Sequence, residues 1–205
     1  MLSQIRPAIV LLALFTLLTG LAYPLAITGI AQMVLPYQAN GSLASNAAGQ
    51  PVGSMLIGQN FVADKYFHSR PSATQAQDPA HPDDSSKTID APYNAANSTG
   101  SNLGPTSQKL LDRVKADVAA RRAAGQTGPI PADAVTTSAS GLDPHISPEN
   151  ALAQVAAVAK ARNLPEDKVR ALVEANTDGR VLGLVGEPRI NVLRLNMALD
   201  ALASS

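Results

Sequence analysis

An apolar run from Pro7 to Pro36, with Arg6 in front of it and no further Lys or Arg until Lys65, constrains this chain more than any other feature. About 30 residues exceed the roughly 20 that cross a bilayer core as a helix, so the run predicts a membrane span. Positive side chains beside a span stay in the cytoplasm. Arg6 and the amino terminus are therefore expected on the cytoplasmic side, and the chain after Pro36 on the other. A cleavable leader is the competing reading, since its apolar core runs about 7 to 15 residues and Gly29-Ile30-Ala31 offers small residues for a cut. The apolar stretch nevertheless continues through Tyr23-Pro24-Leu25-Ala26-Ile27 to Met33-Val34-Leu35, which favours a retained anchor. The carbonyl that Pro24 frees needs a partner, for which Thr19 or a neighbouring helix is the candidate. Thr16, Thr19 and Gly20, with Ala22 and Gly29, supply the small and hydroxyl-bearing surface by which membrane helices pack.

Residues 1–36 thus read as a cytoplasmic start and anchor. Residues 37–50, rich in Ala, Asn, Ser and Gly, read as a connector that need not be rigid, and residues 51–205 as an extracytoplasmic domain. Roughly 170 residues suffice for one core and are cramped for two. Sixteen basic against sixteen acidic side chains leave no positive field for nucleic acid. The chain has no Cys, so it offers no disulfide, thiolate metal site or lipid-linked cysteine. With no Trp, seven Phe and Tyr together and three His, a haem, a sugar-stacking site or a multi-His metal centre is disfavoured.

Coarse elements follow from spacing. Val52 to Phe61, with Met55, Ile57 and Phe61 near-alternate, suggests a strand broken by Gly53 and Gly58. From Pro71 to Pro105 few apolar residues oppose the entropy of ordering, and so long a loop is either functional or mobile. Leu110, Leu111, Val114 and Val118 predict a helix behind Thr106 or Ser107, ending near Gly125. Ser147-Pro148-Glu149 starts another with Leu152, Val155, Val158 and Ala159 on one face. Pro165-Glu166-Asp167 opens a third, with Val169, Leu172 and Val173 apolar, closed by a turn at Asn176 to Gly179. Val181 to Val185 reads as a strand or extended link, and Asn191 caps a last helix with Val192, Leu195, Leu199 and Leu202 inward. The class expected is α+β with a mainly helical C-terminal half.

Motifs for catalysis are weak. No Gly is followed by Lys, and Gly183-Leu184-Val185-Gly186 is too short to signal dinucleotide binding. His68, His81 and His145 form no helical pair. Ser54 or Ser140 with His145 and Asp143 allows a hydrolase triad only on paper, since no Gly-x-Ser-x-Gly elbow exists. Asp143-Pro144-His145 reads first as a turn feeding the Ser147 helix.

Three polar segments carry more: Tyr66-Phe67-His68-Ser69-Arg70-Pro71-Ser72-Ala73, Tyr93-Asn94 through Gly104-Pro105, and Ser138-Ala139-Ser140-Gly141-Leu142-Asp143-Pro144-His145. In this order behind one membrane span, and with the ending Gly186-Glu187-Pro188-Arg189-Ile190-Asn191-Val192-Leu193-Arg194-Leu195-Asn196, the chain closely resembles the C subunits of Kdp potassium-transporting P-type ATPases. The insert-like Ala76 to Asp90 departs from the pattern. The resemblance implies a single-pass subunit of the bacterial inner membrane, partnered by a channel-like potassium-binding subunit and a P-type ATPase subunit. It implies no active site, metal or cofactor of this subunit's own, with ATP and potassium used by the complex. A capping or assembly role on the external side is the first expectation. A catalytic chaperone that helps the ATPase subunit bind ATP is the alternative, with Ser140, Gly141 and Gln154 faintly suggestive; a membrane-tethered periplasmic hydrolase is the second. The candidate contact surface comprises Tyr66, Phe67, His68, Arg70, Tyr93, Asn94, Ser98, Gly100, Asn102, Gly104, Leu142, Asp143 and His145.

Overall fold

The computed structural model describes residues 2–46 and 48–203. The chain divides into two units, Met1–Ala44 and Ser45–Ser205.

In the first unit a short turn, Leu2–Gln4, leads into α1 (Ile5–Leu17), a π-helical turn (Leu18–Ala22) and α2 (Tyr23–Val34). Ile5–Val34 forms 30 continuous helical residues with a mean hydropathy of 2.2 and nothing buried in its most apolar stretch. At 1.5 Å per residue the rod is about 45 Å long, which exceeds the hydrocarbon thickness of about 30 Å. The π turn sits just ahead of Pro24, which has no N–H to return to the Gly20 carbonyl. The Tyr23 N–H reaches back five residues to the Leu18 carbonyl, shifting the register before the proline. Thr19 is not the partner expected for the freed carbonyl: its hydroxyl donates to the Phe15 carbonyl at 2.7 Å.

After Leu35 the chain forms α3 (Pro36–Ala39) and turns sharply through Gly41 and Ser42, with φ of +87° and +51°. Asn40 donates to the Pro36 carbonyl at 2.6 Å and exchanges amide hydrogen bonds with Gln32 at 3.1 and 3.3 Å. The Tyr37 hydroxyl donates to the Ser42 carbonyl at 3.1 Å. These bonds hold the chain where composition alone suggests a slack link.

The strand β1 (Leu43–Ser45) spans the division, and β2 (Pro51–Ser54) follows in the second unit. The strand expected to reach Phe61 stops at Ser54. There the Ser54 hydroxyl accepts the Leu56 N–H at 3.1 Å and the Ser54 carbonyl accepts the Ile57 N–H at 3.3 Å, closing a turn. The stretch that composition marks as structureless holds an antiparallel hairpin, β3 (Gln75–Gln77) and β4 (Thr88–Asp90). Then comes α4 (Gln108–Ala123), whose N-cap is Ser107 without a side-chain capping bond, and beyond which Gly125 takes a φ of +92°. No α4 residue is buried.

The core lies in the C-terminal half. It contains β5 (His145–Ile146), α5 (Pro148–Arg162), α6 (Glu166–Ala175), β6 (Thr177–Asp178), β7 (Arg189–Asn191) and α7 (Val192–Ala203). The expected turn after α6 is therefore partly strand, with Asn176 as the C-cap. The three strands form an antiparallel sheet in the order β5-β7-β6, and the register sets Ile146 opposite Ile190. Those isoleucines pack with Val155, Val158, Val169, Val173, Leu195 and Leu199 from the three helices, each at most 2% exposed. Local signals explain the helix starts. Ser147 caps α5 by accepting the Asn150 N–H at 3.1 Å, and Asn191 caps α7 by accepting the Arg194 N–H at 3.0 Å. Val181 and Val185 form an isolated antiparallel bridge rather than a longer strand.

Candidate functional site

Phe67 and His68 run between α5 and α7 with their main chain paired to two side-chain amides. Asn196 on α7 accepts the Phe67 N–H at 2.8 Å and donates to its carbonyl at 3.0 Å. Gln154 on α5 accepts the His68 N–H at 2.7 Å and donates to its carbonyl at 3.2 Å. The Phe67 ring is fully buried in the core, which is where its apolar bulk acts. Gln154 is engaged in this pairing and with the Asn150 carbonyl-type oxygen Oδ1 at 3.1 Å. Tyr66 takes a different environment. Its hydroxyl donates to Asp200 at 3.1 Å, and Asp200 also receives the Arg162 guanidinium at 2.6 Å. Arg162 lies over the Tyr66 ring at 4.8 Å. Burial, and then the Asp200 hydrogen bond, raise the Tyr66 pKa.

Beyond His68 the chain reaches Arg70, the hub of the site. Its Nη1 donates to Asp143 at 2.9 Å, and its Nε and Nη2 point to the Thr136 and Thr137 carbonyls, each at 3.4 Å. Asp143 also accepts the His145 backbone N–H at 3.0 Å, with the His145 ring nitrogen Nδ1 3.4 Å away. Burial opposes the charged carboxylate, but the His145 and Arg70 donors outweigh it and hold the Asp143 pKa down to about 2. The Tyr93 hydroxyl donates to the Arg70 carbonyl at 2.8 Å, and burial pushes its pKa up to about 12.

The remaining polar residues lace the loops together. The Ser72 hydroxyl donates to the Gly141 carbonyl at 2.8 Å and accepts the Tyr93 N–H at 3.1 Å. Asn94 donates to the Gln75 carbonyl at 2.8 Å, and the Ser98 hydroxyl to the Ser140 carbonyl at 3.0 Å. The glycines mark close approach. A Cβ on Gly58 would meet the Tyr93 ring and, at 2.6 Å, the Asp143 carbonyl. A Cβ on Gly100 would lie 2.6 Å from the Ala139 carbonyl. Gly104 lies in open space at an ordinary backbone angle, so the shape of this loop rests on Gly100 and on the positive φ of Tyr93 and Asn102, +63° and +51°.

The structure thus brings together Arg70, Tyr93, Asn94, Ser98, Gly100, Leu142, Asp143 and His145, Leu142 through its carbonyl, which accepts the Gly58 N–H at 2.8 Å. It places Tyr66 and Phe67 on the α7 side. Arg70, Asp143 and His145 help line an open groove of ≈ 1180 Å³ whose walls also include Ile130, Asp133, Glu149 and Arg189. The Ser140 hydroxyl accepts the Leu142 N–H at 3.1 Å. Asp133 escaped the sequence reading. It accepts the Ser147 N–H and hydroxyl, both at 2.8 Å, and the Asn150 amide at 3.0 Å, so it braces the residue that caps α5. The Ser147-Pro148-Glu149 signal announces the helix start but carries no trace of a brace 14 residues upstream. Chemically, the cluster spends many of its donors and acceptors on its own loops, the buried Ser138 hydroxyl being without a partner among the described residues, and presents a shaped polar surface beside the groove.

The chain matches, over residues 5–201, the family model described as K+-transporting ATPase, c chain, KdpC. It is 62% identical over 204 residues to the potassium-transporting ATPase KdpC subunit of Bradyrhizobium diazoefficiens, covering all of both chains. It is 62% identical over 203 residues to the subunit of that name from Methylobacterium nodulans, and 60% identical over 203 residues to that from Rhodopseudomonas palustris, in each case covering 99% of both chains. A likeness that runs through the apolar helix, the laced loops and the helical half alike leaves one conclusion: the chain belongs to the KdpC family, the C chains of K+-transporting ATPases.

Proposed function

We propose that this chain is a non-catalytic accessory subunit of an ATP-driven potassium uptake pump. Its apolar helix anchors it in the inner membrane with Arg6 in the cytoplasm, and its second unit lies outside the cytoplasm beside the channel-like subunit, stabilising or capping the complex. ATP and potassium are used by the complex and not bound by this subunit alone. The observation that carries this reading is how Arg70 is used. Its guanidinium is directed to Asp143 and to the Thr136 and Thr137 carbonyls, so the charge at the centre of the laced loops is used to hold their shape. A surface of this kind acts by contact.

Protease added to intact spheroplasts tests the placement. Digestion of the second unit is expected. Protection until the inner membrane is lysed would put that unit in the cytoplasm, where assistance in ATP binding would become the better reading. The purified chain alone should hydrolyse neither ATP nor model esters. Turnover lost in both His145→Ala and Ser140→Ala would replace the accessory role with a hydrolase.

A further inference from the structure

The connection from β6 to β7 projects as a narrow hairpin whose tip is entirely apolar. Val181, Leu182, Leu184 and Val185 are 57, 91, 81 and 66% exposed, whereas a leucine or valine in a soluble protein is most often inside. Four backbone hydrogen bonds close the hairpin on itself. Val181 and Val185 exchange N–H to carbonyl bonds at 2.9 and 3.1 Å, Gly183 donates to the Arg180 carbonyl at 3.0 Å, and Leu184 donates to the Val181 carbonyl at 3.1 Å. Left-handed angles at Leu182, Gly183 and Gly186, with φ of +53°, +72° and +84°, make the tight turn possible. Each backbone group paired in this way leaves water at lower cost than an unpaired one, and the groups at the very turn suit the hydrated headgroup level.

We propose that this tip, Val181 to Val185, inserts into the headgroup and acyl-chain boundary of the bilayer that carries the chain's own apolar helix. What the chain carries argues for that occupant. Ile5–Val34 ends ten residues before the second unit begins at Ser45, counting residues 35 to 44. Ten residues span at most about 35 Å, so Ser45, where the second unit begins, is tethered within that reach of the helix end. The chemistry of the tip agrees. Between Val181 and Val185 no side chain carries a hydrogen-bonding group, as acyl chains require. At the base stand Arg180, paired with Glu187 at 2.7 Å, and the exposed Arg189, where basic side chains meet lipid phosphates. The inference rests on the anchor alone and holds for either orientation of the chain.

The protein contains no Trp, so one introduced Trp is a clean reporter. The full chain carrying Leu184→Trp is placed in nanodiscs of phosphatidylethanolamine and phosphatidylglycerol, with and without brominated acyl chains. The expected result is blue-shifted emission that bromine quenches, while Leu111→Trp, on the exposed side of α4, keeps red-shifted emission and is quenched by iodide. Val181→Trp, at the edge of the tip next to Arg180, should also be quenched by bromine but more weakly, and it supplies the reading if Leu184→Trp fails to fold. Emission at the tip that iodide quenches and bromine does not would overturn the proposal. So would a tip shielded from iodide only after the other subunits are assembled and still insensitive to bromine, which would mean docking onto a protein.

Discussion

Asn196 and Phe67 lie 129 residues apart in the chain and exchange two hydrogen bonds, the side-chain amide of one serving as the strand partner of the other's main chain, at 2.8 and 3.0 Å. The pair is buried, with Asn196 at 2% and Phe67 at 0% exposure. It fastens the polar segment that begins at Tyr66 to the last helix, and so sets where Arg70 stands.

Asn196→Ala should therefore cost more than a typical surface change. It leaves a buried N–H and a buried carbonyl without partners, each a loss of about 1–3 kcal/mol, and opens a small void. Thermal or denaturant unfolding of the solubilised chain should show a loss of about 2–4 kcal/mol. Gln154→Ala, which frees the less buried His68 groups, should cost less. Negligible losses in both would mean that the segment is held by the Phe67 ring alone, and equal losses that burial of the paired groups does not set the cost.

The helix starts were legible because their signals are local: Ser147 before Pro148, and Asn191 before Val192, each accept the N–H three residues on. The core positions of α5 and α7 follow from helical spacing for the same reason. Asn196 and Gln154 were not legible as anchors, since a polar residue inside an apolar helix face carries no mark of a partner 129 or 86 residues away. The laced loops misled composition in the opposite direction. Ser72, Thr74, Asn94 and Ser98 look like solvent-loving residues of a loose chain, but each bonds to the main chain of a neighbouring loop. Side-chain to backbone bonds thus do much of the ordering that buried apolar area does elsewhere.

Acid should act through Asp143. Its folded pKa of about 2 lies below the ordinary carboxylate value of about 3.9. A depressed pKa contributes stability that is full above the unfolded value and is lost as pH falls through the folded one. Stability should therefore drop between about pH 4 and pH 2, and Asp143→Asn should be less stable than the parent at neutral pH with a shallower decline across that window. An unchanged acid profile in the variant would remove Asp143 from the account.

Gly100→Val and Gly104→Val separate close approach from simple flexibility. At Gly100 a side chain meets the Ala139 carbonyl, which is backbone and cannot swing aside. The cost should be about 1–3 kcal/mol or a displaced loop. At Gly104 nothing stands within 4 Å, and the change should stay within about 0.5 kcal/mol. Limited proteolysis and unfolding of both variants would decide it, and similar losses would refute the contact. Copurification of the partner subunits then tells folding from assembly. A Gly100→Val chain that unfolds normally but releases its partners would make the loop a contact surface.

The anchor offers the last test. Thr16, Thr19 and Gly20 sit on the turns around the π-helical segment, and the Thr19 hydroxyl is already committed to the Phe15 carbonyl. If this face packs against a partner helix, small side chains matter there because they let the backbones approach, and leucine would hold them apart. Leucine also partitions into the bilayer more favourably than threonine or glycine. Changing all three to leucine should therefore keep the chain in the membrane fraction and yet reduce copurification of the partner subunits several-fold. Undiminished copurification would make the helix a passive tether and move the assembly contacts to the loops around Arg70 and Asp143.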